Sequence, residues 1–298
     1  MENLPRIDDF RTPSANSNQR IAVVHLVWMP FGPDLFRSFI QSYREHPAGC
    51  DHDLVILFNG IRREADAAIY HEILLAEGIS CTSYYLPSGM DIEAYYWVAA
   101  QLPHTYILFL NSYSRLLADH WGRYYIDAVS GERTGAVSAT GSWQSYYSTV
   151  FMRNTYGWER EKGFAVNFRK YKLFVKALLY WRLLFKPFPN PHLRTNAFII
   201  KRELFLSVSR PASFRNKFIA YVYESGNKGL SGQLLKRGYE LLVVDRHGRI
   251  YAKDAWKTST VFWTGGQENL LVSDNQTRSY DQATTTDKKK LTYLAWGK

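Results

Sequence analysis

The sequence predicts an α/β fold, a mixed and mostly parallel, doubly wound sheet flanked by helices, and three observations carry that expectation. From Ile21 to Leu110, apolar runs of strand length alternate with segments of helical period, in the order strand, helix, strand, helix, strand, helix, strand. The runs Leu54 to Phe58 (LVILF) and Tyr106 to Leu110 (YILFL) have no polar face, as expected of strands covered on both sides. Each stops at a polar turn, Asn59-Gly60 in one case and Asn111-Ser112 in the other. Ligands of open α/β sheets sit just outside the carboxyl ends of the strands, so these turns are where chemistry is expected.

The elements follow in order. Residues 1–20 carry Pro13, Ser14, Asn16 and Ser17 and read as a flexible tail. Ile21 to Trp28 (IAVVHLVW) is the first buried strand, and Pro30, Gly32 and Pro33 turn the chain into a helix with Leu35, Phe36, Phe39, Ile40 and Tyr43 on one face. The second strand, Leu54 to Phe58, is followed by a helix from about Glu64 to Glu77 and a weaker strand from Ile79 to Leu86. Asp91 is placed as the N-cap of the next helix, which buries Ile92, Tyr95, Tyr96 and Ala99 and ends at Pro103, before the strand Tyr106 to Leu110. Beyond it come a helix from Trp121 to Val129, a strand from Thr134 to Ala139, a strand from Ala197 to Ile200 and a helix from Phe214 to Tyr223. Leu230 to Arg237 is a further helix stopped by Gly238, Leu241 to Val244 is the final core strand, and the Lys-rich residues 281–298 read as a frayed tail.

With 298 residues and 46% apolar composition, the chain can bury a substantial core. Its two cysteines, Cys50 and Cys81, form no CxxC pair, which supports neither a disulfide framework nor a thiolate metal site and favours a reducing compartment. The N-terminus lacks the apolar segment of a signal peptide, and no run approaches the ~18 apolar residues of a spanning helix, so a cytoplasmic location is expected.

The net charge of +10 has a local source: between Lys162 and Phe188 there are seven Lys or Arg and no Asp or Glu. On a helix, Arg169, Lys172 and Lys176 form one stripe, and Phe174, Leu178, Trp181 and Phe185 fall opposite. Segregated cations and aromatics suit an anionic membrane surface through residues 164–188, which makes the protein peripheral at the inner face of the membrane. Nucleic acid would need cations and aromatics mixed on one face, and is not expected. A core helix with a basic outer face is the alternative. Neither GxGxxG nor GxxxxGK[ST] occurs, so dinucleotide and P-loop readings fall away.

With these residues laid out, the chain resembles the GT-A nucleotide-sugar glycosyltransferases, and more narrowly the bacterial family-two-like and rhamnan-synthesis-type enzymes of surface polysaccharide and lipopolysaccharide biosynthesis. The likeness runs over residues 21 to 280. It implies a GT-A (Rossmann-like) fold whose residues 21–150 bind the nucleotide-sugar and whose residues 191–280 form the acceptor side. Residues 151–190 are then a basic, aromatic insertion and 281–298 a C-terminal tail. It implies a hexosyltransferase with a nucleotide-sugar donor and a glycan or lipid-linked oligosaccharide acceptor. Val27 to Pro30 and Phe58-Asn59-Gly60 would hold the base, and Asp91 and Tyr95 would face the nucleotide.

The sequence departs from that family at the DxD position, where it has Asn111-Ser112-Tyr113-Ser114 and no carboxylate before Asp119. Amides and hydroxyls hold Mg²⁺ or Mn²⁺ poorly, so a divalent metal is in doubt and no metal ligand is assigned. Arg115 and Arg194 are the candidates to neutralise a leaving diphosphate instead, each with a surface salt bridge as the alternative role. The resemblance implies a base at the head of an acceptor-side helix, and Glu224 fits that layout, with Asp274 next in line and His192 and His25 weaker. A GT-A-like binding or scaffold protein without catalysis is the competing reading, and a nucleotidyltransferase a third. The oligomeric state has no signature in the sequence.

Overall fold

The computed structural model describes residues 21–149, 172, 175, 180–214 and 216–297. The first half is a run of β/α units: β1 (Ile21–Trp28), α1 (Pro33–Glu45), β2 (Asp53–Asn59), α2 (Ala68–Ala76), β3 (Thr82–Leu86), α3 (Asp91–Gln101) and β4 (Tyr106–Leu110). There follow β5 (Arg115–Leu116), α4 (Trp121–Val129), β6 (Thr134–Ser138), β7 (Gly141–Ser142), β8 (His192–Leu193), β9 (Ala197–Lys201), α5 (Arg202–Ser207), α6 (Lys217–Ser225) and α7 (Leu230–Lys236). The chain closes with β10 (Glu240–Val244), β11 (Ile250–Ala252), β12 (Val272–Ser273), α8 (Asn275–Asp281) and α9 (Thr285–Trp296).

Eight strands make the main sheet, in the order β11-β10-β6-β9-β4-β1-β2-β3. All pairings from β4 through β3, and that of β6 with β10, are parallel. β9 runs antiparallel between β4 and β6, and β11 antiparallel on β10. The fold is therefore the mixed, mostly parallel, helix-flanked sheet that the sequence predicts. Strand side chains alternate between two cores. Ala22, Val24, Leu26, Val55, Leu57, Ile107 and Phe109 pack on one face with residues of α3, α5, α7 and α9. Val23, Ile56, Phe58, Leu108 and Leu110 pack on the other with α1, α2 and α4. Both faces are covered, which is why the central strands carry no polar side.

Several boundaries differ from the sequence reading, each for a local reason. β3 starts at Thr82 because Gly78, at φ +64°, ends α2 and the Ile79 N–H is taken by Leu74 O at 2.9 Å. Met90 holds the cap of α3, so Asp91 is its first helical residue, where its charge suits the positive end of the helix dipole. α6 begins only at Lys217, where the Asn216 side chain accepts the Ile219 N–H at 3.1 Å. The residues expected to fray form α9, whose Trp296 is buried and donates its indole N–H to Phe262 O at 2.7 Å.

Of the basic, aromatic stretch, Arg169, Phe174, Lys176 and Leu178 lie outside the described residues. Trp181 and Phe185, expected on a membrane-facing stripe, are instead buried against Tyr146, Tyr147, Phe218 and Val222, because α6 packs over them. The exposed apolar side chains there are Tyr180 and Leu183. Among the described residues no helix is long and apolar enough to cross a membrane.

Candidate functional site

The carboxyl ends of β1, β2 and β4 meet the amino end of the reversed strand β9 at one edge of the sheet. Leu26, Leu57 and Phe109 belong to the core on the α3 side, so Trp28, Asn59 and Asn111, two residues on, project to that side as well. Asn196 joins them: it precedes Phe198 by two, and its carbonyl takes the Asn111 N–H at 2.9 Å. Side chains then tie the ends together. The Asn59 amide donates to Gly89 O at 2.9 Å, which fixes the approach to α3, and Ser112 Oγ accepts the Trp28 N–H at 3.0 Å. Gly60 sits at φ +84° directly after β2, and a Cβ there would stand 3.0 Å from the Trp28 ring and 3.4 Å from Pro30. Only glycine suits that turn.

Among the described residues this edge holds four buried polar atoms with no hydrogen-bond partner: Asn59 Oδ1, Tyr95 Oη, Arg115 Nε and Asn196 Nδ2. Buried polar atoms are nearly always paired, so these four call for water or a ligand. Burial drives the Tyr95 hydroxyl well above its ordinary pKa, with help from the charge of Asp91 one helical turn earlier. Asp91 itself is open to solvent but crowded by protein, as in a cleft, and this raises its pKa against the opposing pull of Lys217.

α6 lies alongside α3: the Tyr96 and Tyr223 hydroxyls share a hydrogen bond at 2.7 Å, and Lys217 is near enough to act on the charge of Asp91. Lys217, Tyr221 and Glu224 recur at helical spacing on one face. Glu224 lies in the last turn of α6 and not at the head of a helix, because the helix starts later and ends later than its apolar pattern suggests. Its Oε2 accepts both the Thr195 N–H at 3.0 Å and the Thr195 hydroxyl at 2.5 Å, which binds it to the β8–β9 turn. Its Oε1 accepts no hydrogen bond among the described residues. His192 is buried with Nδ1 bonded to Asn190 O at 2.9 Å, and burial lowers its pKa. His25 stacks on Phe39 at 3.6 Å on the opposite face, with a pKa lowered to about 3 by burial, and has no access to the site.

Arg194 is a correction in part. It is buried, pairs with Asp274 at 2.8 Å and lies over the Phe262 ring at 4.5 Å, so its charge is already met. Asp274 in turn caps α8 by accepting the Thr277 N–H at 2.9 Å, which removes it as an alternative base. Arg115 stays at the site: it opens β5 and donates from Nη2 to Ser38 Oγ at 3.1 Å.

The donor set at the loop after β4 does not fit a divalent cation. Asn111 Oδ1 already accepts the Tyr113 N–H at 3.0 Å and the Ser114 hydroxyl at 3.2 Å, and Ser112 Oγ is taken by Trp28. Asp119, the next carboxylate, pairs with His46 at 2.8 Å at the far end of α1. Among the described residues no group of three or more His, Cys, Asp and Glu gathers.

The structure thus brings Pro30, Asn59, Gly60, Asp91, Tyr95, Asn111, Ser112, Ser114 and Arg115 to one edge, with Glu224 bonded to Thr195 beside Asn196. Sequence reasoning missed Trp28 as a tie between strands, Lys217, Thr195 and Asn196. Thr195 and Asn196 immediately precede an apolar strand, a signal that is silent until β9 is known to run backwards.

No protein-family model matches the chain, and no curated sequence matches it. Among solved structures it is similar to the mannosyltransferase PcManGT from Pyrobaculum calidifontis in complex with GDP-Man and Mn²⁺, at 11% identity and TM-score 0.46 over 98% of this chain and 73% of that one. It is similar to glucosyl-3-phosphoglycerate synthase from Mycobacterium tuberculosis in complex with Mn²⁺, UDP and glucosyl-3-phosphoglycerate, at 15% identity and TM-score 0.37 over 78% and 72%. A third is S. aureus TarS, at 10% identity and TM-score 0.31 over 40% of this chain, which spans 21% of TarS.

Proposed function

We propose that this protein is a glycosyltransferase that moves a sugar from a nucleotide-sugar donor to a glycan acceptor. The observation that carries the reading is the cluster of buried polar atoms at the carboxyl edge that have no partner among the described residues, next to Thr195, whose N–H and hydroxyl both go to one oxygen of Glu224. A polyhydroxyl ligand bearing a base and phosphates offers complementary donors and acceptors to amides, a phenol and guanidinium groups. Asn59, Gly60 and Pro30 frame the base, Asp91 and Tyr95 the ribose side, and Asn111, Ser112, Ser114 and Arg115 the diphosphate side.

Transfer proceeds with inversion. The acceptor hydroxyl oxygen forms a bond to the anomeric carbon as the bond from that carbon to the diphosphate oxygen breaks, and the electron pair leaves on the diphosphate. The acceptor proton passes to Glu224, whose orientation is fixed by Thr195. Arg194 supports that turn through its pair with Asp274 and does not meet the ligand's charge.

The acceptor we propose is lipid-linked, in surface-polysaccharide synthesis, with the basic stretch 164–188 drawing the protein to an anionic membrane. Its composition supports this, and Tyr180 and Leu183 within it are exposed. The competing reading, a binding protein without catalysis, is favoured by the loop that lacks carboxylates. A thermal-shift panel of nucleotide sugars tests the first step, since a ligand at ~100 times its Kd stabilises by ~2.7 kcal/mol. No shift with any donor ends the proposal, and binding without transfer to any acceptor selects the binding protein.

A further inference from the structure

Arg278, on α8, had no place in the sequence reading, yet it reaches the same loop. Its Nη1 donates to Tyr113 O at 3.0 Å and to Ser273 Oγ at 3.3 Å. Ser273 is the register partner of Arg115 in the β5–β12 pair, and side chains directly opposite in an antiparallel pair lie on one side of the ribbon. Two guanidinium groups are thus gathered behind the residues that replace a metal-binding loop. Burial, and next the charge of Arg115, lowers the pKa of Arg278. Neither arginine forms an ion pair among the described residues. The adjacent carboxylate, Asp274, is committed to Arg194. Like charges held together in a half-buried place, one of them with a buried Nε that bonds nothing among the described residues, are the inverse image of an anion.

We infer that Arg115 and Arg278 together form the diphosphate site, two fixed cations that take the charge elsewhere carried by a divalent metal. The inference rests on the nucleotide-sugar reading above and deepens it. Both groups are held by protein before ligand arrives, Arg115 through Ser38 and Arg278 through Tyr113, so little reorganisation accompanies binding. Planar guanidinium groups with spare N–H donors match phosphate oxygens in pairs, which a lysine in either place would not do.

The test is titration calorimetry of the full chain with inorganic pyrophosphate and with UDP, GDP, ADP and CDP, in EDTA and in Mn²⁺. The expected result is that at least one nucleoside diphosphate binds within twofold equally in both media. Arg115→Gln and Arg278→Gln should each weaken it about 10–100-fold, while the affinity for the matching nucleoside without phosphate holds. Gln retains an N–H for Ser38 or Tyr113, and the EDTA comparison on the unaltered protein stands even where a variant folds poorly. Binding that appears only with Mn²⁺, or variants within twofold of the parent, overturns the guanidinium site and leaves the nucleotide cleft intact. No binding of any nucleoside diphosphate in either medium overturns the cleft itself.

Discussion

Asp274→Asn removes one buried charge. Asn is as good a helix cap as Asp, so the bond from the Thr277 N–H survives, and what is lost is the negative charge 2.8 Å from Arg194 together with the oxygen to which Arg194 Nη2 donates. Both side chains are almost wholly enclosed, at 9% and 1% exposure. Breaking one half of such a pair costs about 3–5 kcal/mol, because a cation is left unmatched in the interior. For 298 residues the unfolding entropy is about 0.6 kcal/mol/K, so Tm should fall by roughly 5–8 °C. Arg194→Met in the same chain should recover most of that loss. The pH dependence has a definite sign. Burial alone would raise the Asp274 pKa, but the charge of Arg194 and the bonds from Thr277 outweigh it and hold the carboxyl below its ordinary value. Its stabilisation is therefore present above the unfolded pKa of 3.8 and is lost as pH falls through the lower, folded value. The gap between parent and Asp274→Asn should be constant from about pH 5 to 8 and close in acid. Calorimetric melts across that range measure it. A single variant that loses less than about 1 kcal/mol, or a double variant no better than the single, would refute the buried-charge argument.

Glu224→Gln keeps size and hydrogen bonding but cannot take a proton, so single-turnover transfer should slow about 10²–10⁴-fold with donor affinity unchanged; a threefold effect moves the base elsewhere. Trp296→Ala should cost about 3–5 kcal/mol in denaturant melts, and removal of residues 285–298 more, since α9 closes the core. Gly229→Ala places a Cβ 2.2 Å from Tyr223 O and 2.7 Å from Val222 O, both backbone, and should destabilise by roughly 1–3 kcal/mol or more by the same measurement. Exchange of Arg169, Lys172 and Lys176 for Glu should abolish sedimentation with anionic liposomes; retained binding at low salt assigns lipid contact to other residues.

The first half of the fold was legible because each signal there is local. An apolar run such as YILFL, five residues long and set between Pro103 and a polar turn, suits a strand buried on both faces, and the turn that follows it then falls at the carboxyl edge. The second half was less legible because its signals are relational. Glu224 was expected at the head of a helix, but the helix that holds it begins where Asn216 caps it, and a cap three residues past Ser213 reads as ordinary loop. Arg194 and Asp274 are 80 residues apart and each reads alone as a surface charge. Trp296 fell in a polar stretch whose single buried face is too short to outvote its lysines. Arg278 has no motif at all, and only the β5–β12 register brings it to Arg115.

The short pair β7–β8 has one more consequence. Gly141 lies across from Leu193 and Ser142 across from His192, so the chain leaves after Ser142 and returns at His192 through one short antiparallel pair. The described residues between those two points are tied to the rest of the fold as well as to their base. Trp143 donates its backbone N–H to Ala295 O at 3.0 Å and meets the Trp296 ring edge-on, while Trp181 and Phe185 lie under α6. A substitution at any of these three therefore acts on α9 or α6 as much as on the segment that carries it.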